Sequence, residues 1–226
     1  MRKERKYTFR IESLQELKEG LLLSTKCFRE AYPTRFVNSI YLDSHNLLNL
    51  DENLAGVSKR YKARLRWYTS ELIQDKFLSD HFTFEVKTKS NFFGGKKQHR
   101  VNLPNNISQM NSMDLNMFLR KNLPFDYLPF IDHCNEFPLG VSYKRSYYED
   151  FQSKIRITLD SNLMYFKPCF QGVFNFRHTI PNYMNYGVLE VKYENDSDIE
   201  GNLFDSKLLN ITAGRHSKYV VGTNIV

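Results

Sequence analysis

Cationic side chains occupy every second position of the segment KRYKARLRWY, residues 59–68. The four cations are Arg60, Lys62, Arg64 and Arg66. Because successive side chains of a β-strand point to opposite faces, the segment predicts a strand with one cationic face and one apolar face that carries Leu65 and Trp67. Like charges this close repel one another unless an anion relieves the crowding. We therefore expect an anion-binding face, and the alternative is a solvated strand face.

Carboxylates share a strand face with cations in two further segments. In HFTFEVKTKS (81–90), Glu85 alternates with Lys87 and Lys89, and in GVLEVKYE (187–194) Glu190 precedes Lys192 by two positions. Arginine offers paired donors that match phosphate oxygens, and lysine offers a point charge. Carboxylates among such cations are typical of sites where Mg²⁺ or Mn²⁺ meets substrate phosphates. Glu190 and Glu85 are therefore candidate metal ligands, and a salt bridge to a lysine is the alternative for Glu190.

The elements that must position these residues are mainly strands. Alternation predicts strands at 7–11, 36–44, 59–69, 81–90, 140–150, 154–166 and 187–194, and helical spacing of leucine and methionine predicts helices at 13–23 and 108–123. About eight antiparallel strands can close around a lumen. We expect an α+β fold: a closed antiparallel β-barrel of about eight strands whose ionic faces line a basic tunnel, with flanking helices over its apolar outer face.

Composition limits the class of protein. The chain has 226 residues, of which 41% are hydrophobic, so one core and a single domain over residues 1–226 are expected. The net charge of +7 suggests an anionic partner, although a mildly basic protein without one would show the same charge. Three widely separated cysteines favour neither disulfides nor zinc. No segment has the pattern of a signal peptide, a membrane span or a P-loop, so we expect a cytoplasmic protein, monomeric or weakly homo-oligomeric.

Eight short motifs follow one another along the chain. They are ERKYTF, SIYLDS, KARLRWY, FEVKTK, SYKRSYYE, IRITLD, LEVKY and SKYVVG, between residues 4 and 222. Each motif alone is weak, but the ordered set resembles the tunnel domain of the vacuolar transporter chaperone (VTC) polyphosphate polymerases, within the CYTH, or triphosphate tunnel, superfamily. The resemblance covers nearly the whole chain.

The resemblance implies a set of site residues. The implied catalytic residues are Arg64, Arg66, Lys87, Arg145, Arg156 and Lys192. The implied phosphate-binding residues, with Lys62 and Lys89 added because they share these strand faces, are Lys6, Lys62, Lys89, Lys96, Lys97, Tyr143, Ser217 and Lys218. A glycine turn leaves the choice between Lys96 and Lys97 open. The implied metal ligand is Glu190, which would bind Mn²⁺ or Mg²⁺. Asp160 has two open roles, to orient an arginine or to touch the metal.

The resemblance also implies an activity. The chain would transfer the γ-phosphate of ATP to a growing polyphosphate chain, with pyrophosphate as a primer. The superfamily often opens with Glu-x-Glu-x-Lys, and here Arg2 stands at the first glutamate while Glu4 and Lys6 are present. That departure favours the polymerase branch. The alternatives are a tunnel triphosphatase, which would hydrolyse inorganic triphosphate or nucleoside triphosphates, and a barrel that binds polyphosphate or nucleotide without turnover. Nucleic acid is disfavoured because most aromatic residues lie on the strand faces opposite the basic ones.

Overall fold

Alternation of polar and apolar residues produces long strands. The structure of the protein, a computed structural model, describes residues 3–70, 81–91, 93–103, 110–170, 173–174, 180–199 and 211–226. The strands are β1 (Lys3–Arg10), β2 (Arg29–Asp43), β3 (Lys59–Thr69), β4 (His81–Ser90), β5 (Phe93–Asn102), β6 (Glu136–Glu149), β7 (Arg156–Phe166), β8 (Cys169–Phe170), β9 (Val173–Phe174), β10 (Asn182–Tyr183), β11 (Tyr186–Tyr193) and β12 (Ile211–Ala213).

The helices are short. They are α1 (Leu14–Leu22), α2 (Leu48–Leu54), α3 (Ser112–Asn122), α4 (Leu128–Asp132) and α5 (Lys218–Thr223). Leu17 and Leu21 of α1 are buried, as their helical spacing predicts. Asn111 and Asp114 form a capping box that begins α3. The helix predicted at 13–23 is confirmed by α1. The helix predicted at 108–123 is confirmed over Ser112–Asn122; Met110 and Asn111 precede it, and residues 108–109 lie outside the described residues. No described helix is long and apolar enough to cross a membrane.

The prediction of a closed eight-stranded barrel is wrong. Ten strands form one antiparallel sheet in the order β12-β1-β11-β7-β6-β2-β3-β4-β5, with β10 beside β7, and this order is an open path. Strands β8 and β9 form a separate pair. Few of the described residues lie in helices, so the prediction of an α+β fold with flanking helices also overestimated the helical content. Alternation specifies which face of each strand is apolar, but closure depends on tilt and stagger, which alternation does not encode.

The chain divides into two compact units. The first unit comprises Met1–Phe36, Tyr143–Met164 and Tyr183–Ser217, and the second comprises Val37–Ser142, Tyr165–Asn182 and Lys218–Val226. Strands β1, β11 and β12 belong to the first unit and β3, β4 and β5 to the second, whereas β2, β6, β7 and β10 contribute residues to both. The single domain expected over residues 1–226 stays a prediction.

Cross-strand register gathers the apolar residues of each unit on one sheet face. In the first unit Leu189 lies opposite Leu159, and both are buried in a core that includes α1. In the second unit Leu65 lies opposite Phe84, and both are fully buried in a second core. Because side chains alternate, this packing fixes the residues between them on the opposite face of each sheet segment. Those intervening positions carry the charged residues.

A close approach at Gly187 provides a test of the first core. A Cβ added at Gly187 would lie 2.2 Å from the ring of Phe9 and 2.7 Å from the carbonyl oxygen of Asp160. We expect Gly187→Ala to lower the free energy of unfolding by about 1–3 kcal/mol because the ring must shift. A Cβ at Gly20 in α1 meets nothing within 4 Å. Gly20→Ala is therefore the control, and it should raise stability by about 0.5–1 kcal/mol.

Urea denaturation of both variants, followed by circular dichroism, makes the comparison. Equal stability of Gly187→Ala and the wild type would contradict the packing of Phe9 over Gly187.

Candidate functional site

Three strands of the second unit align cations in rows across the sheet. Lys62, Lys87 and Lys96 occupy directly opposed positions on β3, β4 and β5. The neighbouring row pairs Arg64 with Glu85 and Glu85 with Gln98. We call the side-chain face shared by these positions the cationic face. Its cations are Arg60, Lys62, Arg64, Arg66, Lys87, Lys89, Lys96 and Arg100.

Glu85 is the only acidic residue in the sequences of these three strands, and it is 2% exposed. Arg64 donates to one carboxylate oxygen of Glu85 through Nε at 2.8 Å and lies within 2.7 Å of it through Nη2. Lys96 Nζ at 2.9 Å and Gln98 Nε2 at 2.5 Å reach the other oxygen. Arg66 Nη1 lies 3.7 Å from the Glu85 oxygen that Arg64 binds. Burial alone would raise the pKa of Glu85, but the arginines and Lys96 lower it to about 2.

Two residues of β2 complete the support for the arginines. Arg64 Nη1 donates to the hydroxyl oxygen of Tyr41 at 3.2 Å, and Arg66 Nε donates to Ser39 Oγ at 3.3 Å. The Arg64 guanidinium also lies 5.8 Å from the Tyr41 ring centre, within cation–π range. Burial would raise the pKa of Tyr41, but the neighbouring cations lower it to about 8. The arginines are therefore held in fixed positions before any ligand arrives.

The directly opposed lysines Lys62, Lys87 and Lys96, which we call the lysine row, place three like charges side by side, and Lys96 is paired with Glu85. Like charges directly opposed on neighbouring strands are destabilising. Among the described residues no carboxylate forms an ion pair with Lys87, whose side chain is exposed. Burial lowers the pKa of Lys96, and Arg64 and Arg66 lower it further against the opposite effect of Glu85. The row is thus an arrangement that a bound anion would stabilise.

The register of β5 against β4 distinguishes Lys96 from Lys97, between which the family motif left the choice open. Lys96 lies opposite Lys87 on the cationic face, whereas Lys97 lies opposite the buried Val86 and forms an ion pair with Asp126 at 3.7 Å. Lys89 lies opposite Arg60 on the cationic face and is exposed. The structure therefore brings Lys96 together with Arg64 and sets Lys97 apart.

A second charged cluster lies on β1, β11 and β7 in the first unit. Glu190 lies between Lys6 and Thr158, and in the next row Lys192 lies between Glu4 and Arg156. We call this cluster the glutamate site; its members are Glu4, Lys6, Arg145, Arg156, Thr158, Asp160, Glu190 and Lys192.

Lysines bridge the carboxylates of the glutamate site. Lys6 Nζ lies 3.0 Å from Glu4 and 3.7 Å from Glu190, and Lys192 Nζ lies 2.5 Å from the other oxygen of Glu190. Burial would raise the pKa of Glu190, but Lys6, Lys192 and Arg145 lower it to about 2. Burial would lower the pKa of Lys6, but Glu190 and Glu4 raise it above its usual value. Glu190 is therefore ionised and Lys6 is charged at neutral pH.

Arg145 is fixed by a buried carboxylate, as Arg64 is. Its Nε and Nη2 donate to the two oxygens of Asp160 at 2.5 and 2.7 Å, and Asp160 is 1% exposed. The guanidinium lies 5.1 Å from the Tyr143 ring centre. Burial opposes the charged form, but Asp160, Tyr143 and Glu190 hold the pKa of Arg145 well above its usual value. Of the two roles open to Asp160, the structure shows the orientation of an arginine.

The chemistry of the donor set decides whether a divalent cation fits. Among the described residues there is no group of three or more His, Cys, Asp or Glu side chains that could hold a metal ion. Mg²⁺ is commonly bound by one or two carboxylates together with substrate phosphates. Glu190 and Glu4 form such a pair, since both reach Lys6. Glu85 does not fit, because it is 2% exposed and Arg64 and Lys96 bind its two oxygens. The oxygens of Glu190 are also paired, with Lys6 and Lys192, so a cation bound there would have to displace these lysines.

Other predicted residues are placed less centrally. Arg156 is exposed and lies opposite Lys192, and Tyr143 packs beside Arg145. Ser217 follows His216, whose carbonyl oxygen accepts a hydrogen bond from Lys6 at 3.3 Å. Lys218 is the first residue of α5, in the second unit. Sequence reasoning did not assign Glu4 to the site, although its spacing of two residues from Lys6 on a strand was a usable signal.

The VTC domain model matches residues 1–226, and the chain belongs to the VTC domain family. This confirms the resemblance carried by the ordered motifs, and membership fits an enzyme that acts on polyphosphate or nucleotide phosphates. No curated protein matches the chain significantly. One similar solved structure is a provisionally named adenylate cyclase from Vibrio parahaemolyticus, with 11% identity over 96% of this chain and 97% of that one and a TM-score of 0.49. A likeness at that level does not establish a shared fold.

The buried carboxylate predicts a pH-dependent stability. We expect Glu85→Gln to lower the free energy of unfolding at pH 7 by about 3 kcal/mol, because Arg64 and Lys96 lose their buried counter-charge. The folded pKa of Glu85, about 2, lies below its usual value. Its contribution is therefore present above about pH 4.5 and is lost as the pH falls toward about 2.

Urea titrations between pH 7 and pH 2 should show wild type and variant converging at the acid end. Asp126→Asn, which removes the exposed partner of Lys97, is the control and should change little. A constant difference between wild type and Glu85→Gln at all pH values would contradict the assignment.

The lysine row predicts an unusual stabilising substitution. We expect Lys87→Gln to raise the free energy of unfolding by about 0.5 kcal/mol, because it removes repulsion from Lys62 and Lys96. Lys97→Gln, on the opposite face of β5, should not raise it. Thermal unfolding at low salt compares the two variants, and the gain should shrink at high salt. A loss of stability in Lys87→Gln would show that the row is not under strain.

Proposed function

We propose that the protein transfers the γ-phosphate of ATP to the end of a growing polyphosphate chain, with a divalent cation as cofactor. The observation that carries this proposal is the lysine row Lys62–Lys87–Lys96 beside arginines anchored on Glu85. Membership of the VTC domain family supports it independently.

The extent of the cationic face suits an elongated anion. Successive rows on an antiparallel sheet are two residues apart, about 7 Å, so the four rows from Arg60 to Arg66 span about 20 Å. Eight cations on this face are opposed by the one acidic residue, Glu85. A single phosphate would neutralise a small part of that charge. A chain of phosphates would neutralise several rows at once, which supports polyphosphate as the ligand.

Phosphoryl transfer requires alignment and charge stabilisation more than covalent chemistry. In the proposal Arg64 and Arg66 bind phosphate oxygens with paired donors at fixed positions, and Lys62, Lys87 and Lys96 supply point charges. The acceptor is a phosphate oxygen of the primer or chain, so no side chain acts as a nucleophile. Lys89 extends the cationic face toward the end of β4.

At the glutamate site Lys6, Lys192 and Arg145 bind oxygens of the ATP triphosphate, and Arg156 adds a cation at its exposed side. Glu190 and Glu4 would hold Mn²⁺ or Mg²⁺, which would neutralise charge on the triphosphate. Asp160 keeps the Arg145 guanidinium oriented, and Tyr143 supports it from beneath. Ser217 and Lys218 are proposed as further phosphate-binding residues on the strength of the family motif.

Hydrolysis of a triphosphate is the second candidate function. The observation that favours it is Glu4, whose carboxylate reaches Lys6 together with Glu190. A second carboxylate at the site could accept a proton from an attacking water molecule. Water would then replace the phosphate chain as acceptor, with the same residues binding the triphosphate.

A product analysis separates the candidates. We expect the purified protein with ATP, Mn²⁺ and pyrophosphate to produce ADP and a ladder of phosphate chains on a stained polyacrylamide gel. Glu190→Gln and Arg64→Ala should each reduce ladder formation about 100-fold or more, because the first weakens the proposed Mn²⁺ site and the second removes a cation placed against the transferring phosphates. Lys97→Ala, outside the cationic face, is the matched control and should retain activity.

Free phosphate without a ladder would instead support the hydrolase. Saturable binding of triphosphate with no turnover would contradict both enzymes and leave a polyanion-binding protein.

A further inference from the structure

Thr158 occupies a central position in the glutamate site. It lies directly opposite Glu190, and its strand neighbours on the same face are Arg156 and Asp160. Its hydroxyl oxygen is buried, and it has no hydrogen-bond partner among the described residues. A hydroxyl on a strand is ordinarily satisfied by water or by a neighbouring group. The Thr158 hydroxyl is therefore a neutral polar group of the site that lacks a hydrogen-bond partner among the described residues.

A buried hydroxyl without a hydrogen-bond partner lowers the stability of the fold. Valine, which has nearly the same shape and no hydroxyl, would avoid this cost. Nothing in the core on the other face requires it, because that face is filled by Ile157 and Leu159. The cost is recovered when a ligand atom or a water molecule accepts a hydrogen bond from the hydroxyl. Thr158 thus differs from residues that support the fold, whose polar atoms are satisfied internally.

The charges around Thr158 select the ligand. Arg156 flanks it on β7, Lys6 and Lys192 bind the carboxylate opposite it, and Arg145 is held at Asp160. The four cations Lys6, Arg145, Arg156 and Lys192 outnumber the three carboxylates of the site, Glu4, Asp160 and Glu190, so an anion is favoured at its centre. A hydroxyl donates a short hydrogen bond to an anionic oxygen, and such charge-assisted bonds are stronger than neutral ones.

We infer that the Thr158 hydroxyl donates a hydrogen bond to a phosphate oxygen of the triphosphate bound at the glutamate site. This inference rests on the proposed function, since it requires that the site take a triphosphate. It adds a neutral donor to a set of residues that are otherwise charged. Thr158 would fix the position of one phosphate group, because a hydroxyl binds only at hydrogen-bond distance, whereas a charge attracts over several ångströms.

The test combines binding with stability. Inorganic triphosphate is titrated by calorimetry into wild type, Thr158→Val, Thr158→Ser and Thr8→Val, each with and without Mn²⁺. Thr8 lies on β1 on the same face, one row away, and serves as the matched control. We expect Thr158→Val to weaken triphosphate binding about tenfold or more, with and without Mn²⁺. Thr158→Ser should bind triphosphate with an affinity within about threefold of the wild type, and Thr8→Val should bind it with the wild-type affinity.

Stability distinguishes a ligand-binding hydroxyl from a structural one. We expect the urea midpoint of Thr158→Val to equal or exceed that of the wild type, because no internal hydrogen bond is lost. A lower midpoint would show that the hydroxyl has a partner within the fold, and this would overturn the inference. So would unchanged triphosphate binding by a folded Thr158→Val.

Two further outcomes separate this inference from the proposed function. A wild type that binds no triphosphate would overturn both. A wild type that binds triphosphate, with Thr158→Val equal to it, would overturn only the role of Thr158. A loss of binding confined to the titrations with Mn²⁺ would assign the hydroxyl to the hydrated cation, and it would overturn the contact with phosphate.

Discussion

The ion pair between buried Glu85 and Arg64 is the interaction on which the cationic face depends. A carboxylate that is 2% exposed is tolerable only if its charge is matched at close range. Arg64 and Lys96 provide that match, and in return their own positions are fixed by it. Without Glu85, three neighbouring strands would carry positive charge alone on one face. Packing of the apolar face would then have to offset the repulsion among these cations.

The first unit reaches a similar solution with different residues. Asp160 is buried and takes two hydrogen bonds from Arg145, whose guanidinium lies over Tyr143, just as Arg64 lies beside Tyr41. In both places one arginine is made rigid by a carboxylate and a ring. Lysines fill the neighbouring positions, and Lys96, Lys6 and Lys192 are themselves paired with Glu85 or Glu190. In both units one carboxylate therefore positions an arginine and at least one lysine on the charged face.

Local periodicity explains what could be predicted from the sequence. The alternation in β3, β4, β7 and β11 specified strands and their faces, because a period of two is a property of neighbouring residues. Closure of the sheet was predicted wrongly, since it depends on edges distant in sequence. The choice of Lys96 over Lys97 required the register of β5 against β4. Glu85 was read as a metal ligand because the sequence does not show that Arg64 lies directly opposite it.

A crystal structure of the protein grown with inorganic triphosphate and Mn²⁺ would locate the bound phosphates. We expect phosphate oxygens within hydrogen-bond distance, about 3 Å, of the lysine row or the glutamate site, with Glu85 still bound to Arg64. Phosphate groups bound elsewhere, with Lys62, Lys87 and Lys96 facing only solvent and Glu190 still paired with Lys6 and Lys192, would contradict this expectation.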